Sequence, residues 1–520
     1  MLTSQAVAGA LALCLVPHSE AFTSIPASTG SVVHGGSPHN GLRSVAAATR
    51  EDMTPPPSSP ATVGVNLAPP RTDPGTWFTQ LQKSCLPKPS ELQDLATAGV
   101  NQLGEVELPH RKQEPFRYTN LESLFRVNWQ APKVVLTEET ATLCRSYLEP
   151  DTSGQQLVFV NGVFSQELSD VSELEGGSKG LFAGSILSAP SPELAQDYLS
   201  WLPEVGADHR TNQGSLPFAC LNAACMADAA VITVDEGVKL EKPIQVLFFS
   251  EGEETVSHPR LIVASGKGSD VTIMQGYAGV GKSLTNAASR FLVGEGAKIN
   301  HIYSQEQSLE SQHIDTVTAN VGASGLFKQC LLQSGAYFGR VNLQVELTGE
   351  EAHTDLAGLV LASGNQQLDN HTELGHSVPG ATSEQDQRQI LADSSDVVFK
   401  GRIRVDGIAQ QTDSNQICRT LMLSDKARVT AMPSLEITAD DVKCAHGATV
   451  ADLDEESLFY LASRGINKVL ARALVIKGFA ADLLDQLPGQ AVQARLTEKL
   501  QALTPTTDRA VQSKGAYQSI

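Results

Sequence analysis

Cysteine, aromatic residues, basic charge and long apolar runs are all scarce in this chain of 520 residues. Eight cysteines are too sparse for a disulfide scaffold. Aromatic residues supply only 5% of the sequence, yet 41% is hydrophobic, which is enough for a long core and excludes wholesale disorder. Acidic residues outnumber basic ones by 58 to 38, a formal charge of -20. A surface this acidic, with no basic stripe, repels phosphate backbones, so nucleic acid is not expected as a partner. Beyond the extreme N-terminus no uncharged apolar run reaches the roughly 18 residues of a spanning helix, so no membrane span is expected in the mature protein. The length exceeds one compact domain and suits two or three, or one elongated array.

What is present begins with a targeting pattern. Residues 1–21 carry an apolar run, Ala6 to Val16, then Pro17 and small or polar residues to Ala21. The run has the length of a secretory signal core, although no Lys or Arg precedes it. From Phe22 to Arg50 the composition turns to Ser, Thr, Ala, Gly and Pro, with Arg43 and Arg50 and no acidic residue, which is transit-peptide chemistry. The join Ala21-Phe22 resembles the two-part presequence of algae with complex plastids and implies a plastid stroma. A plain secretory signal ahead of a linker is the other reading. Thr54 to Pro74, with Pro55-Pro56-Pro57 and Pro69-Pro70, is too proline-rich to pack.

The mature chain divides by texture. Residues 75–150 favour a helical, loop-rich region, and 151–214 are transitional. From 215 to 450 short β-branched runs such as Ala230 to Val234, Ile244 to Phe249 and Val271 to Met274 are separated by Gly, Asp or Ser. Within them Gly266, Gly294, Gly322 and Gly349 open similar turns, spaced 28, 28 and 27 residues apart, each closing on a small residue before a strand-like run. Periods of this size belong to solenoids, where glycine permits the turn and small residues fit between closely stacked rungs. A β-sandwich with coincidental spacing is the competing reading. The signature fades after residue 352, with an echo at Ser424 and Ala427. Residues 451–503 are helical again: Asp454 caps one helix through Ser463, Asn467 caps a second running to Lys477 before Gly478, Ala480 to Leu487 continues until Pro488, and Val492, Leu496, Leu500 and Leu503 form a stripe. Residues 504–520 are a tail.

Two constellations could carry chemistry. Gly276 to Ser283 matches the phosphate-binding P-loop pattern in full, with Lys282 and Ser283 in the phosphate and magnesium positions. The acidic strand end Asp235-Glu236 precedes that loop instead of following it, and the next repeat turn leaves no room for the required helix. Cys444 and His446 share one face of a probable strand, so a thiolate and an imidazole could reach one soft metal. A buried cysteine beside a hydrogen-bonded histidine is the plainer reading, and two ligands do not complete a site. Cys85, Cys144, Cys220, Cys225, Cys330 and Cys418 lack metal spacing and are assigned to the core. His371 and His376, five apart beside Glu373, could bind metal, but a polar loop is the plainer reading.

A longer pattern surrounds the second constellation. Asp393 to Gly401, Ala409 to Asp413, Pro433 to Thr449 and Asp454 to Ile466 together resemble the SufB/SufD family of iron–sulfur cluster assembly proteins. Asp440-Asp441-Val442-Lys443-Cys444-Ala445-His446-Gly447-Ala448-Thr449 and Phe459-Tyr460-Leu461 look like its SufD branch. The likeness is dense over roughly 370–480, thinner from about 215 and slight over 75–150; Asp228-Ala229 departs from the usual Asp-Gly. It implies a right-handed parallel β-helix between helical segments, agreeing with the repeat. It implies a non-catalytic scaffold that builds a transient cluster, binding none stably, with a SufB-like paralogue and a SufC-like ATPase. The histidine implicated in the family falls on His446, with Cys444 beside it. The C-terminal helices, with Leu458, Phe459, Tyr460, Arg464, Gly465, Ile466, Gly478 and Phe479, would dock the ATPase. The rivals are a P-loop ATPase using Lys282 and Ser283, or a secreted β-helix polysaccharide lyase. The lyase needs a calcium-binding Asp cluster and a catalytic Arg, which are not located.

Overall fold

The computed structural model describes residues 73–133, 137–174, 180–189, 214–487 and 489–503. The signal-like and transit segments, almost all of the Pro-rich linker and the 504–520 tail lie outside them.

The Gly-turn repeat is a stack of rungs. Two 10-stranded sheets face each other, and from Asp270 onward successive strands alternate between them, parallel to their neighbours and in unbroken register. The protein is therefore mainly β, a parallel β-solenoid with helical segments on its N-terminal side and at its C-terminal end. Each repeat glycine lies over the backbone of the turn below. A Cβ on Gly294 would stand 2.6 Å from the Ser265 carbonyl oxygen, and one on Gly322 3.0 Å from that of Val293. A third-position residue adopts the left-handed conformation: Gly268 at φ 65° and Gly296 at 61°, then Ser324 at 51° and Glu351 at 58°. The column continues as Val378-Pro379-Gly380-Ala381, with φ 71° at Gly380, where a different first residue hides it from a search on glycine. Ser424 and Ala427 belong to the turns entering the opposite sheet.

Register turns alternation into columns. On the second sheet Val263, Phe291, Ala319, Val345, Leu374 and Ile403 lie one above another, all buried between the sheets. Facing them, Phe159, Phe248, Tyr277 and Tyr303 stack with ring centroids 5.3–5.5 Å apart, a spacing favourable for offset aromatic pairs. The sheets begin earlier than the β texture of the sequence. Gln156–Val160 is a buried strand parallel to Ile244–Glu251, and Leu181–Ser185 pairs antiparallel with Ala230–Val234.

Helices cover the flanks. Those on the N-terminal side are α1 (Pro74–Lys83), α2 (Gln93–Leu103), α3 (Glu122–Phe125), α4 (Glu138–Arg145) and, after the first strands, α5 (Leu216–Cys225). α1 starts at Pro74, capped by the Asp73 carboxylate, and its Trp77 and Phe78 pack with Phe125, Trp129 and Phe218. Arg340, buried on the second sheet, donates to Thr119 Oγ1 at 2.8 Å and the Pro115 carbonyl at 3.1 Å, tying that region to the solenoid. At the other end lie α6 (Glu455–Ser463), α7 (Lys468–Leu484) and α8 (Gln490–Ala502). Asp454 and Asn467 cap as their side chains predict. The second helix does not stop at Gly478, however. α7 runs through it to Leu484, because packing of Ile476, Ala480 and Leu483 outweighs one glycine's propensity cost. Val492, Leu496 and Leu500 are buried against the outer face of the first sheet.

Replacing Gly349 with alanine tests the rung contact. Its Cβ would collide with the backbone of Gly322 and Ala323 one rung below. The expected cost is about 1–3 kcal/mol, read as a lower denaturation midpoint, whereas alanine at Gly447, where a Cβ meets nothing within 4 Å, should leave the midpoint unchanged.

Candidate functional site

Two inward-facing columns of the first sheet end at the last strand, Val442–Ala451. One runs Ile273, His301, Gln329, Leu356, Gln385, Gln416 and then His446. The other runs Val271, Ile299, Phe327, Thr354, Ser383, Ser414 and then Cys444. Every member below the last is buried. Strand geometry sends Cys444 and His446 to the same face, which is the face that fills the space between the sheets in every rung below. Val442 and Cys444 still touch that core, while His446 is exposed.

The Cys444 column turns polar toward this end, from Phe327 to Thr354, Ser383 and Ser414, and the His446 column is polar at every rung except Ile273 and Leu356. Gln416 Nε2 donates to Gln385 Oε1 at 2.7 Å, and Gln385 exchanges hydrogen bonds with Thr372. Ser414 and Ser383 hydroxyls are 2.7 Å apart, and His376 Nε2 lies 2.9 Å from Ser383. Gly401 opposite Gln416 leaves room for this amide; a Cβ there would collide with it. Deeper in the stack, burial pushes His301 down to about 3, so it is neutral and hydrogen-bonded to Gln275 and Gln329. Partial burial, helped by the Asp413 carboxylate, pushes the Cys444 thiol up. The pair thus offers a soft sulfur and an accessible imidazole at the mouth of a polar-lined stack. Among the described residues no third His, Cys, Asp or Glu joins them within 4.8 Å. The half-exposed strands Arg428–Ile437 and Val442–Ala451 end the two sheets, and no further described strand pairs with either.

The helical candidates divide. Phe459 is 77% exposed and Tyr460 43%, with the Arg464 guanidinium 4.9 Å from the Tyr460 ring. Leu458 instead faces inward, and Ile466 and Phe479 pack against the same cluster. Gly465 ends α6 at φ 83°, and Gly478 is open on its free side. Leu470, 50% exposed, adds to the apolar surface; it lies in the first turn of α7, where its amide donates to the Asn467 cap, and belongs to no motif.

The P-loop reading fails. Gly276 to Val280 lie in the strand Asp270–Val280, and Ser283 opens the strand Ser283–Val293, so no helix follows to aim its N-terminus at phosphates. Lys282 pairs with Glu254 at 2.7 Å, and Ser283 is buried beside Ser311 at 3.2 Å. Nor are all the remaining cysteines separate core residues. Cys144, Cys220, Cys330 and Cys418 are buried thiols, but Cys85 and Cys225, 140 residues apart, are joined as a disulfide with Cα atoms 5.2 Å apart. Separation along the chain could not show a contact made by packing α5 beneath α1.

Comparison with known proteins gives two family models laid end to end. Residues 79–246 match the SufBD protein N-terminal region, and 248–479 match the SufBD core domain of the SUF system for FeS cluster assembly. The chain is 32% identical over 408 residues to the iron–sulfur cluster assembly SufBD family protein slr0076 of Synechocystis, covering 76% of this chain and 87% of that one. It is 30% identical to the chloroplastic protein ABCI7 of Arabidopsis thaliana, over 79% of this chain and 86% of that one. It is 29% identical to the iron–sulfur cluster assembly protein SufD of Escherichia coli, over 77% and 91% respectively.

His371, Glu373 and His376 are not in a polar loop but on the buried strand Gln367–His376. An odd separation sends the two histidines to opposite faces, so they cannot share a metal. His371 lies 3.4 Å from Arg340, and His376 meets Ser383 between the sheets. Desolvation, with Glu346 adding to it, raises the Glu373 carboxyl to about 8 against the pull of Arg402, Arg404 and Lys400. A carboxyl raised on folding contributes stability below its unfolded value, and that contribution is lost as pH rises through the folded value. Glu373→Gln mimics the neutral form. Its stability relative to the parent should therefore rise between about pH 5 and pH 8 and level off above, as denaturation of both proteins across that range will show. A constant difference would mean that Glu373 is charged in the native state.

Proposed function

The chain belongs to the SufBD family of iron–sulfur cluster assembly proteins, and from that premise we propose that it is a SufD-type scaffold subunit acting in a plastid. Its partners are a SufB-type paralogue and a SufC-type ATPase, and it performs no turnover of its own. The observation that carries this reading is the open end of the solenoid. A thiol and an imidazole are presented there on an edge strand whose outer side pairs with no described strand, too few to hold a cluster alone. An edge strand is a template for a second chain. A SufB-type solenoid laid against Val442–Ala451 would bring its own ligands to His446 and Cys444. The cluster is cargo that this site helps to build and then gives up.

The exposed Phe459, Tyr460 and Leu470 on α6 and α7 suit the ATPase. Hydrolysis in that subunit would supply the work that shifts one scaffold chain against the other. The plastid setting draws on the chloroplastic relative and on the two-part N-terminal segment. The secreted-lyase alternative gains nothing, since the family match accounts for the solenoid.

The direct test is anaerobic co-expression with SufB-type and SufC-type chains of the same organism, with the product weighed by light scattering. An assembly of one copy of this chain, one SufB-type chain and two SufC-type chains is expected. His446→Ala should leave that assembly intact but lower its iron and sulfide loading; unchanged loading would remove His446 from the site. Phe459→Glu alters a side chain with little role in folding. It should weaken capture of the SufC-type subunit by about tenfold or more while leaving the circular dichroism unaltered.

A further inference from the structure

The disulfide partners have a third neighbour. One ligand atom each from Cys85, Cys225 and His258 lies within 4.8 Å of the others, and among the described residues this is the one group of metal-ligand side chains so assembled. His258 is buried, 6% exposed, and its Nε2 has no hydrogen-bond partner among the described residues. A disulfide needs no imidazole, and a buried ring nitrogen without a partner is costly. Two sulfurs and one nitrogen are instead the donor set of a borderline-soft cation. Four ligands at zinc distances stand about 3.7 Å apart, a spacing the trio reaches once the two sulfurs separate.

Three segments hold the group in place. Cys225 ends α5, and Cys85 follows the end of α1. His258 sits between the strands Thr255–Ser257 and Arg260–Ser265. Asn222 of α5 donates to the Pro259 carbonyl at 2.8 Å and the Asn286 carbonyl at 2.9 Å, so the helix bearing Cys225 is fastened to the segment bearing His258. Asn286 lies 3.2 Å from His258 Nδ1, and its own Oδ1 has no partner among the described residues. An amide turned to present that oxygen accepts from Nδ1–H and leaves the Nε2 lone pair free, at the cost of its bond to Phe218. The Lys88 ammonium is near enough to act on His258 and favours thiolates beside it.

We propose that Cys85, Cys225 and His258 form a site for a zinc-class divalent cation whenever the cysteine pair is reduced. A thiol reductant delivers two electrons and two protons to the disulfide, giving two thiols. The entering cation displaces both protons to solvent and takes an electron pair from each sulfur and from the imidazole. The small cavity there is also lined by Asn161, Gly162 and Ser257, which leaves the fourth position to water. The site lies apart from His446 and does not depend on the role proposed for it.

The test uses the full chain, reduced with a phosphine, desalted without oxygen and titrated with cobalt(II). An intense thiolate-to-cobalt band saturating at one ion per chain and displaced by zinc is expected. The same chain left oxidised should give no band. His258→Ala should weaken binding by about tenfold or more with unchanged circular dichroism, whereas a Cys444→Ser, His446→Ala double variant should bind as the parent does. No band in the reduced parent, or a band that survives in Cys85→Ser, Cys225→Ser, would overturn the proposal. So would a band that follows Cys444 and His446.

Discussion

In-register parallel pairing is the constraint on which this structure rests. Once Lys298 lies beside Asp270 and Leu326 beside Lys298, every side chain has an equivalent directly above and below, and one choice of face propagates along the solenoid. A slip of one residue would send Val345 and Leu374 outward and bring their polar neighbours in. Register in turn depends on how closely the turns stack. Gly266, Gly294, Gly322 and Gly349 allow the backbone of one turn to rest on the next, which holds the rung length near 28 residues until the loops lengthen. Beyond residue 352 the offsets grow, from Thr382 beside His353 to Asp413 beside Thr382, and the added residues go into the turns, not the strands.

The same register carries a chemical gradient. In the row that ends at Cys444 the interior begins apolar, with Val271, Ile299 and Phe327, as a core isolated from water favours. The row that ends at His446 already carries His301 and Gln329, hydrogen-bonded to each other. Toward the C-terminal end the equivalent positions become Gln385 and Gln416, Ser383 and Ser414, each hydrogen-bonded to another buried side chain or to its neighbour one rung along. A buried amide or hydroxyl is tolerable only with such partners. A stack of this kind therefore gives up hydrophobic stabilisation near the end to present polar groups at it. Cys444 and His446 are the last members of those rows. Their placement follows from rungs far below them.

Legibility in the sequence followed the range of the interaction. The repeat could be read because rung contact acts on single glycines at fixed spacing. Asp454 and Asn467 could be read as caps because each bonds within three residues of itself. Buried strands such as Gln156–Val160 lack alternation, since both faces are covered, so the sheet's first strands fell into a stretch taken as transitional. The run through Gly478 and the P-loop mimic at Gly276–Ser283 share one cause, a local signal overruled by packing that the sequence does not display. His371 and His376 looked polar and loop-like because their partners are met only in the fold: Arg340 lies 31 residues from His371, and Ser383, near in sequence, meets His376 from the opposite sheet. The Cys85–Cys225 contact, across 140 residues, had no local trace at all.

The proposed division of the site at a sheet edge has a consequence for how an assembly scaffold can work. A pocket complete within one chain would hold its cluster with all of its ligands at once, and release would mean breaking them together. Ligands divided between two chains make affinity a function of how those chains sit, so a small displacement of one edge against the other removes part of the coordination shell while each chain stays folded. The solenoid suits that division. From Asp270 to Ala451 its rungs are coupled strand to strand by parallel ladders, so a push on one rung is shared by its neighbours. Phe459 and Tyr460 lie on helices fastened to the outer face of the first sheet, the sheet whose last strand bears Cys444 and His446. A force applied at α6 would thus act on the sheet that carries that edge.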